Sequence, residues 1–198
     1  MAYTPIAPGS ADWDVPVNAA FTSQDARITA NEGNITSNSA NIATLIARLP
    51  NLARKTADQA VTNTTTYADA ADLVVAVTAG NTYKVEGFFV YTTLTAAGIN
   101  LKLTGPTGTG TWNFATLSGG GSTDTGTVRY SMSSNGVGTS RTGGTASVGA
   151  GNELTGYVRG IFQPTANGSL QFAFTQNSAN ATATTLKANS WLELTRMN

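Results

Sequence analysis

The chain has 198 residues and contains neither cysteine nor histidine. Without cysteine it has no disulfides and no thiol nucleophile, and without histidine it lacks Ser-His-Asp triads and the usual zinc ligands. The carboxylate pair considered for cation or sugar chemistry is Asp69 with Asp72, three residues apart in an Ala-rich segment, where such side chains are commonly just solvated. The sequence therefore predicts a protein that is not an enzyme and that uses no metal or cofactor.

Charge is also scarce, at 11% of residues, with 11 basic and 11 acidic side chains and a net charge of +0. Globular chains average about 25% charged residues. The lack of a basic excess argues against nucleic-acid partners, and the lack of long apolar runs or a signal-like start argues against membrane partners. Glycine (21 residues) and threonine (33) are plentiful instead, so hydroxyl and amide groups must supply the solubility.

Residues 1–16 contain three prolines and are predicted to form an extended arm. Trp13 lies in this arm between two aspartates, with no apolar run around it. It could act as a staple against the following helix or as an anchor in another subunit. We predict that the segment Trp13, Asp14, Val15 and Pro16 attaches the chain to a partner.

A seven-residue repeat runs through residues 17–50 and predicts a coiled-coil helix. Pro50 should end this helix near Leu49, which leaves about 29 residues or roughly 43 Å of rod. The repeat places mostly β-branched residues at position a and several polar residues at position d. The predicted seam consists of Phe21, Gln24, Ile28, Asn31, Ile35, Asn38, Ile42, Leu45, Leu49 and Leu52.

The residues between the seam positions are mainly Ser, Thr, Asn and Ala, which are poor to middling helix formers without charge pairing. Such a helix should owe its order to association. Asn31 and Asn38 at position d would be cramped between two strands, whereas three strands leave room for a ring of amides, so we predict a parallel homotrimer. The alternative is a monomeric amphipathic helix lying on the following domain.

After a predicted neck at residues 51–58, the period of the sequence changes from seven to two. Residues 59–198 contain eight to ten alternating segments separated by Gly-, Asn- and Ser-rich turns, with no helical segment. This pattern predicts a mainly β domain, an antiparallel sandwich of jelly-roll type. Four aromatic residues could form a sugar-stacking platform or belong to the core: Tyr67, Trp112, Tyr130 and Tyr157.

Two parts of the chain carry a resemblance to a known family. They are residues 13–18 leading into residues 25–28, and residues 170–177 followed by residues 184–192. Together with the stalk and the Gly/Thr-rich β-domain, they resemble virion structural proteins of tailed bacteriophages, namely head-decoration, head-fibre and minor tail or fibre proteins.

The resemblance implies a homotrimer on the exterior of the phage particle, bound through its N-terminus to capsid or tail proteins and displaying the β-domain. The alternative it leaves open is a tail-associated carbohydrate-binding adhesin that recognises a glycan of the host cell surface. A polysaccharide depolymerase would need a convergent carboxylate pair, which the sequence does not show.

Overall fold

A computed structural model of the chain describes residues 14–94, 96–118, 127–133, 141–142 and 153–198. The chain divides into two compact units, with the boundary between Ala47 and Arg48. The first contains a long helix and the second contains antiparallel β-sheets. The prediction of a mainly β fold preceded by a helix is thereby confirmed.

Helix α1 spans Asp14–Ala47, 34 residues, and is about 51 Å long at 1.5 Å per residue. It begins three residues earlier than predicted, so the prediction that Asp14, Val15 and Pro16 are extended was wrong. Proline is compatible with the first helical turn because the N–H it lacks would have no partner there, and an acidic residue suits the positive end of the helix dipole. Trp13 and the rest of the arm lie outside the described residues.

Helix α1 ends at Ala47, three residues before Pro50, because a residue preceding proline disfavours helical geometry. Two predicted seam positions are therefore not helical. Leu49 follows the helix, and Leu52 lies in the first strand of the β unit. The part of the heptad repeat that is helical ends at Leu45.

The described residues of the β unit form twelve strands. They are β1 (Asn51–Arg54), β2 (Gln59–Val61), β3 (Ala68–Val77), β4 (Tyr83–Thr92), β5 (Asn100–Thr104), β6 (Gly108–Ser118), β7 (Thr127–Ser133), β8 (Arg141–Thr142), β9 (Leu154–Pro164), β10 (Gly168–Thr175), β11 (Thr184–Leu186) and β12 (Trp191–Arg196).

The strands pair antiparallel in two sheets. The larger sheet has the order β1-β12-β4-β9-β6-β7, and β11 joins β4 on one side and β2 on the other. The smaller sheet has the order β3-β10-β5-β8. Strand β1 pairs with β12, so that Asn51 lies opposite Leu194 and Arg54 opposite Trp191. The predicted neck is therefore wrong for its first half, which is an edge strand of the large sheet.

The core lies between the two sheets, and alternate residues of β4 and β9 are buried in it. Phe172 of β10 packs against Phe89 of β4 at 5.3 Å and against Phe114 of β6 at 6.2 Å between ring centroids. These contacts join the small sheet to the large one. In β4, β9 and β12, the side chains that alternate with the buried ones face outward.

Lys55, directly after β1, is only 2% exposed although the sequence places it in the predicted neck. Its Nζ donates hydrogen bonds to Gln59 Oε1 (2.8 Å) and to the carbonyl of Ala71 (3.1 Å). Burial lowers the pKa of Lys55, partly offset by the nearby carboxylates of Asp72 and Asp58. The segment after β1 is therefore part of the folded unit rather than a solvated connector.

Candidate functional site

The helical seam residues form an exposed stripe along α1. Phe21, Ile28, Ile35, Ile42 and Leu45 are 44–65% exposed in the single chain. Exposed apolar side chains repeated at a fixed spacing are typical of an association surface, since scattered single residues would show no such period. We call these five residues, with Asn31 and Asn38 between them, the seam stripe.

Five hydroxyl groups of the helix donate hydrogen bonds to its own backbone. Thr22, Thr29 and Thr36 donate to the carbonyl four residues earlier, at 2.9, 3.0 and 3.0 Å. These three threonines are themselves seven residues apart and each follows an a position. These hydrogen bonds occupy the three hydroxyl groups, so the seam stripe is the part of the helix suited to association.

Between Val17 and Ala47 the helix has only three charged residues, Asp25, Arg27 and Glu32. In the heptad frame they occupy positions e, g and e, beside the seam. None has an opposite charge three or four residues away on its own helix, where an intrahelical ion pair would form. Charges at e and g are those that pair between helices of a coiled coil.

Of the acidic pair singled out in the sequence, Asp72 serves the fold. Asp72 sits at an irregularity in the β3–β10 pairing with a φ of 71°, a conformation that Asp tolerates better than most residues. Its Oδ2 accepts hydrogen bonds from the Thr56 hydroxyl (2.7 Å) and the Thr56 backbone N–H (3.1 Å), which lower the pKa of Asp72. Across the part of the chain that the structure describes, acidic side chains do not gather in threes around a possible metal position.

The four aromatic residues predicted as a possible platform do not come together. Trp112 is 2% exposed and packs edge-on to Phe162 in the core, at 6.2 Å between centroids. Tyr67 lies under Lys102, whose Nζ is 4.3 Å from the ring centroid. Tyr157 is exposed on the outer face of the large sheet, and the side chain of Tyr130 lies outside the described residues.

A different set of aromatic residues does meet on that outer face. In the pairing registers, Trp191 of β12 lies opposite Phe88 of β4, and Phe88 lies opposite Tyr157 of β9. Trp191 and Phe88 are partly exposed, and Tyr157 is 38% exposed. We call these three residues the aromatic row.

Charged residues form a second row, two residues along the same strands from the aromatic row. Glu193 of β12 lies opposite Glu86 of β4, which lies opposite Arg159 of β9. Glu86 pairs with Lys84 at 2.8 Å and with Arg159 at 3.8 Å, and the Arg159 guanidinium is 5.5 Å from the centre of the Tyr157 ring. An open cavity of about 220 Å³ adjoins both rows and is lined by Glu86, Gly87, Phe88, Tyr157, Val158, Arg159 and Trp191.

A signal for the aromatic row exists in the sequence, since each ring shares the strand phase of charged residues. Phe88 alternates in phase with Glu86, Tyr157 with Arg159 and Trp191 with Glu193. A large aromatic on the polar phase of a strand indicates an exposed ring. Sequence reasoning missed the site because the adjacency of β12, β4 and β9 is set by pairing over long distances along the chain.

Within the described residues, no helix has the length and apolar character needed to cross a membrane.

No protein-family model and no curated protein matches the chain. Among solved structures, it is similar to the VP2 subviral particle of infectious bursal disease virus, with 10% identity over 75% of this chain and 41% of that chain and a TM-score of 0.22. T=1 particles derived from the same virus match with 14% identity, 75% and 40% coverage and a TM-score of 0.22. The chain spans about two fifths of the length of these structures. At such a TM-score the likeness carries no argument about fold or function.

Proposed function

We propose that the protein is a non-enzymatic, homotrimeric structural protein of a phage virion, attached by its N-terminal segment and displaying the β unit on the particle exterior. The observation that carries the proposal is the exposed seam stripe of α1. A helix this rich in Ser, Thr and Asn has weak intrinsic stability, and packing of its apolar stripe against identical helices would supply what is missing.

The polar layers of the stripe favour three strands. Asn31 and Asn38 lie at successive d positions within the helix. A buried amide at a core position weakens a coiled coil but selects its register and strand number. A three-stranded core gives each amide two neighbours to bond, so the layers would define a trimer rather than a mixture of states.

The strand order of the β unit supports a jelly roll within this proposal. The eight successive strands β3 to β10 alternate between the sheets, except that β6 and β7 lie side by side in the large sheet. They take the orders β3-β10-β5-β8 and β4-β9-β6-β7. This arrangement has the connectivity of two Greek keys wound together, an architecture common to viral capsid and lectin domains. Strands β1, β2, β11 and β12 extend the second sheet.

The particle itself enters the proposal through the resemblance of the sequence to tailed-phage virion proteins. A surface with equal numbers of basic and acidic residues and many hydroxyl groups suits the outside of a particle, because it does not attract oppositely charged macromolecules.

The trimer is tested on the full chain by sedimentation equilibrium and light scattering at micromolar concentration. The wild type should have three times the mass of the chain. Ile35→Lys places a charge in the seam stripe and should give monomers, because three ammonium groups would be buried together. Ala40→Lys adds the same charge at heptad position f, opposite the seam, and should leave the trimer intact.

A monomeric wild type, or equal effects of the two lysine substitutions, would contradict the proposal. Particle association is tested separately, by probing purified phage with an antibody against the β unit. Signal on intact particles supports an exterior position, and signal only after disruption contradicts it.

A further inference from the structure

We infer that the outer face of strands β12, β4 and β9 binds a neutral glycan, with the aromatic row as the stacking surface and the flanking charged row as its hydrogen-bonding edge. The inference concerns a ligand of the β unit and does not depend on the trimer.

The spacing of the aromatic row suits sugar rings. Neighbouring strands lie about 4.8 Å apart, so Trp191, Phe88 and Tyr157 span about 10 Å, enough for about two adjacent pyranose rings. One face of a pyranose is lined by C–H groups, which stack on aromatic rings with burial of apolar surface and attraction to the negative ring face. Three rings in a line therefore provide a platform for a chain of sugars rather than a pocket for one.

The charged row supplies what the sugar hydroxyls require. Glu86 and Glu193 accept hydrogen bonds, and Arg159 donates them in a fixed fork. Lys84 and Arg159 already pair with Glu86, which holds the carboxylate in place before a ligand arrives. Together Lys84, Glu86, Arg159 and Glu193 carry two charges of each sign. This balance gives no preference for an anionic polymer and favours a neutral glycan.

The same composition argues against a protein partner. A flat protein surface closing over the aromatic row would also cover Glu86, Glu193 and Arg159, and desolvating these charges costs more than imperfect pairing returns. A glycan lies along the rings, and its hydroxyls hydrogen-bond to the charged edge without removing that edge from water. The rings stand on β4 and β9, interior strands of the large sheet, and on β12 beside them, so they are held by the sheet rather than by a loop.

The test uses the full-length protein and five defined hexasaccharides. Four are neutral, derived from cellulose, starch, chitin and β-mannan, and the fifth, an alginate hexamer, is acidic. Binding is followed by calorimetry and by the change in tryptophan fluorescence. At least one neutral hexasaccharide should bind with a dissociation constant at or below about 1 mM, and the alginate hexamer should bind more weakly.

Tyr157→Ala removes the most exposed ring of the row and should weaken binding roughly tenfold or more, a typical cost for losing an aromatic binding contact. Trp191→Phe should retain most of the affinity because it keeps a stacking ring, whereas Trp191→Ala should not. The matched control is Ile161→Ala on the same face of β9. Ile161 is 48% exposed but does not line the cavity, and its loss should change affinity less than about twofold.

Three results would overturn the inference. The first is that none of the four neutral hexasaccharides binds the folded wild type at about 1 mM. The second is that Tyr157→Ala, shown to be folded by circular dichroism, binds as well as Ile161→Ala. The third is that the aromatic-row variants change the oligomeric mass, which would assign the face to a contact between copies of the chain. Failure of the trimer test alone would leave this inference standing.

Discussion

Gly160 of β9 shows how a single residue determines the position of a large neighbour. A Cβ at Gly160 would clash with the carbonyl oxygen of Thr111 on β6 and would lie 2.5 Å from the Cβ of Trp112. The missing side chain leaves space into which Trp112 packs, and Trp112 is therefore a core residue. The position of Trp112 therefore depends on the residue opposite it as well as on its own strand phase.

We expect Gly160→Ala to destabilise the β unit by about 1–3 kcal/mol, the usual cost of overpacking a close-packed core. The matched substitution Gly33→Ala should have the opposite sign. Gly33 lies in α1 with open space where a Cβ would be added, and alanine stabilises a helix interior by about 0.5–1 kcal/mol over glycine. Chemical denaturation followed by circular dichroism measures both. Equal destabilisation by the two alanines would contradict this account of Gly160.

Two carboxylates make the stability of the β unit depend on acid pH. Asp58 accepts hydrogen bonds from the ammonium of Lys187 and the backbone N–H of Ala188 (2.8 Å), and these lower its pKa. The two bonds from Thr56 lower the pKa of Asp72 in the same way.

Because both folded-state pKa values lie below the unfolded value of about 4, the two carboxylates stabilise the fold fully above that value. The contribution is lost as the pH falls through the folded pKa values. Denaturation midpoints should therefore fall steadily below about pH 4, and Asp58→Asn combined with Asp72→Asn should flatten that decline while lowering stability at neutral pH. An unchanged acid slope in the double variant would contradict the assignment.

At the scale of elements, the long periodic segments were predictable and strand β1 was not. The heptad of α1 and the alternation of β4 and β9 each extend over ten or more residues, so period alone identifies them. Strand β1 has four residues, with no alternation visible in Asn51–Arg54. It forms because it pairs with β12, and no local sequence pattern indicates that pairing.

The charges beside the seam of α1 predict the orientation of its association. In a parallel, in-register coiled coil, a residue at position g lies beside the e residue five positions later on the neighbouring helix. Arg27 at g and Glu32 at e have this separation. Arg27→Glu should lower the thermal midpoint of the trimer by placing like charges side by side, and Arg27→Glu with Glu32→Arg should restore it.

The pair at Arg27 and Glu32 is exposed, so each contact is worth about 0.2–1 kcal/mol and weakens with salt. Melting curves at low and high salt provide the control. Failure of the double exchange to recover the midpoint would favour an antiparallel or shifted arrangement.

The two asparagine layers should lower the thermal stability of the proposed trimer and restrict the chain to one oligomeric state. Replacing Asn31 and Asn38 by isoleucine should raise the thermal midpoint, because apolar d residues gain burial, while broadening the distribution of oligomeric states. Sedimentation velocity and thermal melts measure the two effects. A lower midpoint would show that these residues do not lie in the seam.

At the scale of the whole molecule, the proposal separates attachment from folding. Deletion of residues 1–13 leaves α1 and the β unit complete. We expect the truncated protein to form the same soluble trimer and to be absent from particles when it replaces the full chain. Trp13→Ala should give a partial loss, since three weak contacts act together in a trimer. Normal occupancy of the truncated protein would place attachment in the helix or the β unit.

The fold class could be predicted from the sequence, but the pairing partners and registers of the strands could not. Alternation and turn residues indicate an antiparallel β unit from composition and period. The aromatic row, by contrast, exists only because β12 pairs with β4 and β4 with β9. From the sequence alone, each strand could pair with several others. Packing of the complete core selects one arrangement.

Strands β1 and β12 pair although they lie at opposite ends of the β unit in sequence, so β1 is synthesised well before its partner. At about 5–20 residues per second, β1 leaves the ribosome roughly 7 to 28 s before its partner. During that interval the backbone N–H and carbonyl groups of β1 are unpaired. The α1 helices of neighbouring chains are already synthesised and free to associate. Nascent neighbours would then hold incomplete sheets close together, where β1 of one chain can reach β12 of another. Correct assembly thus requires each β unit to close on its own last strand faster than strands are exchanged between chains.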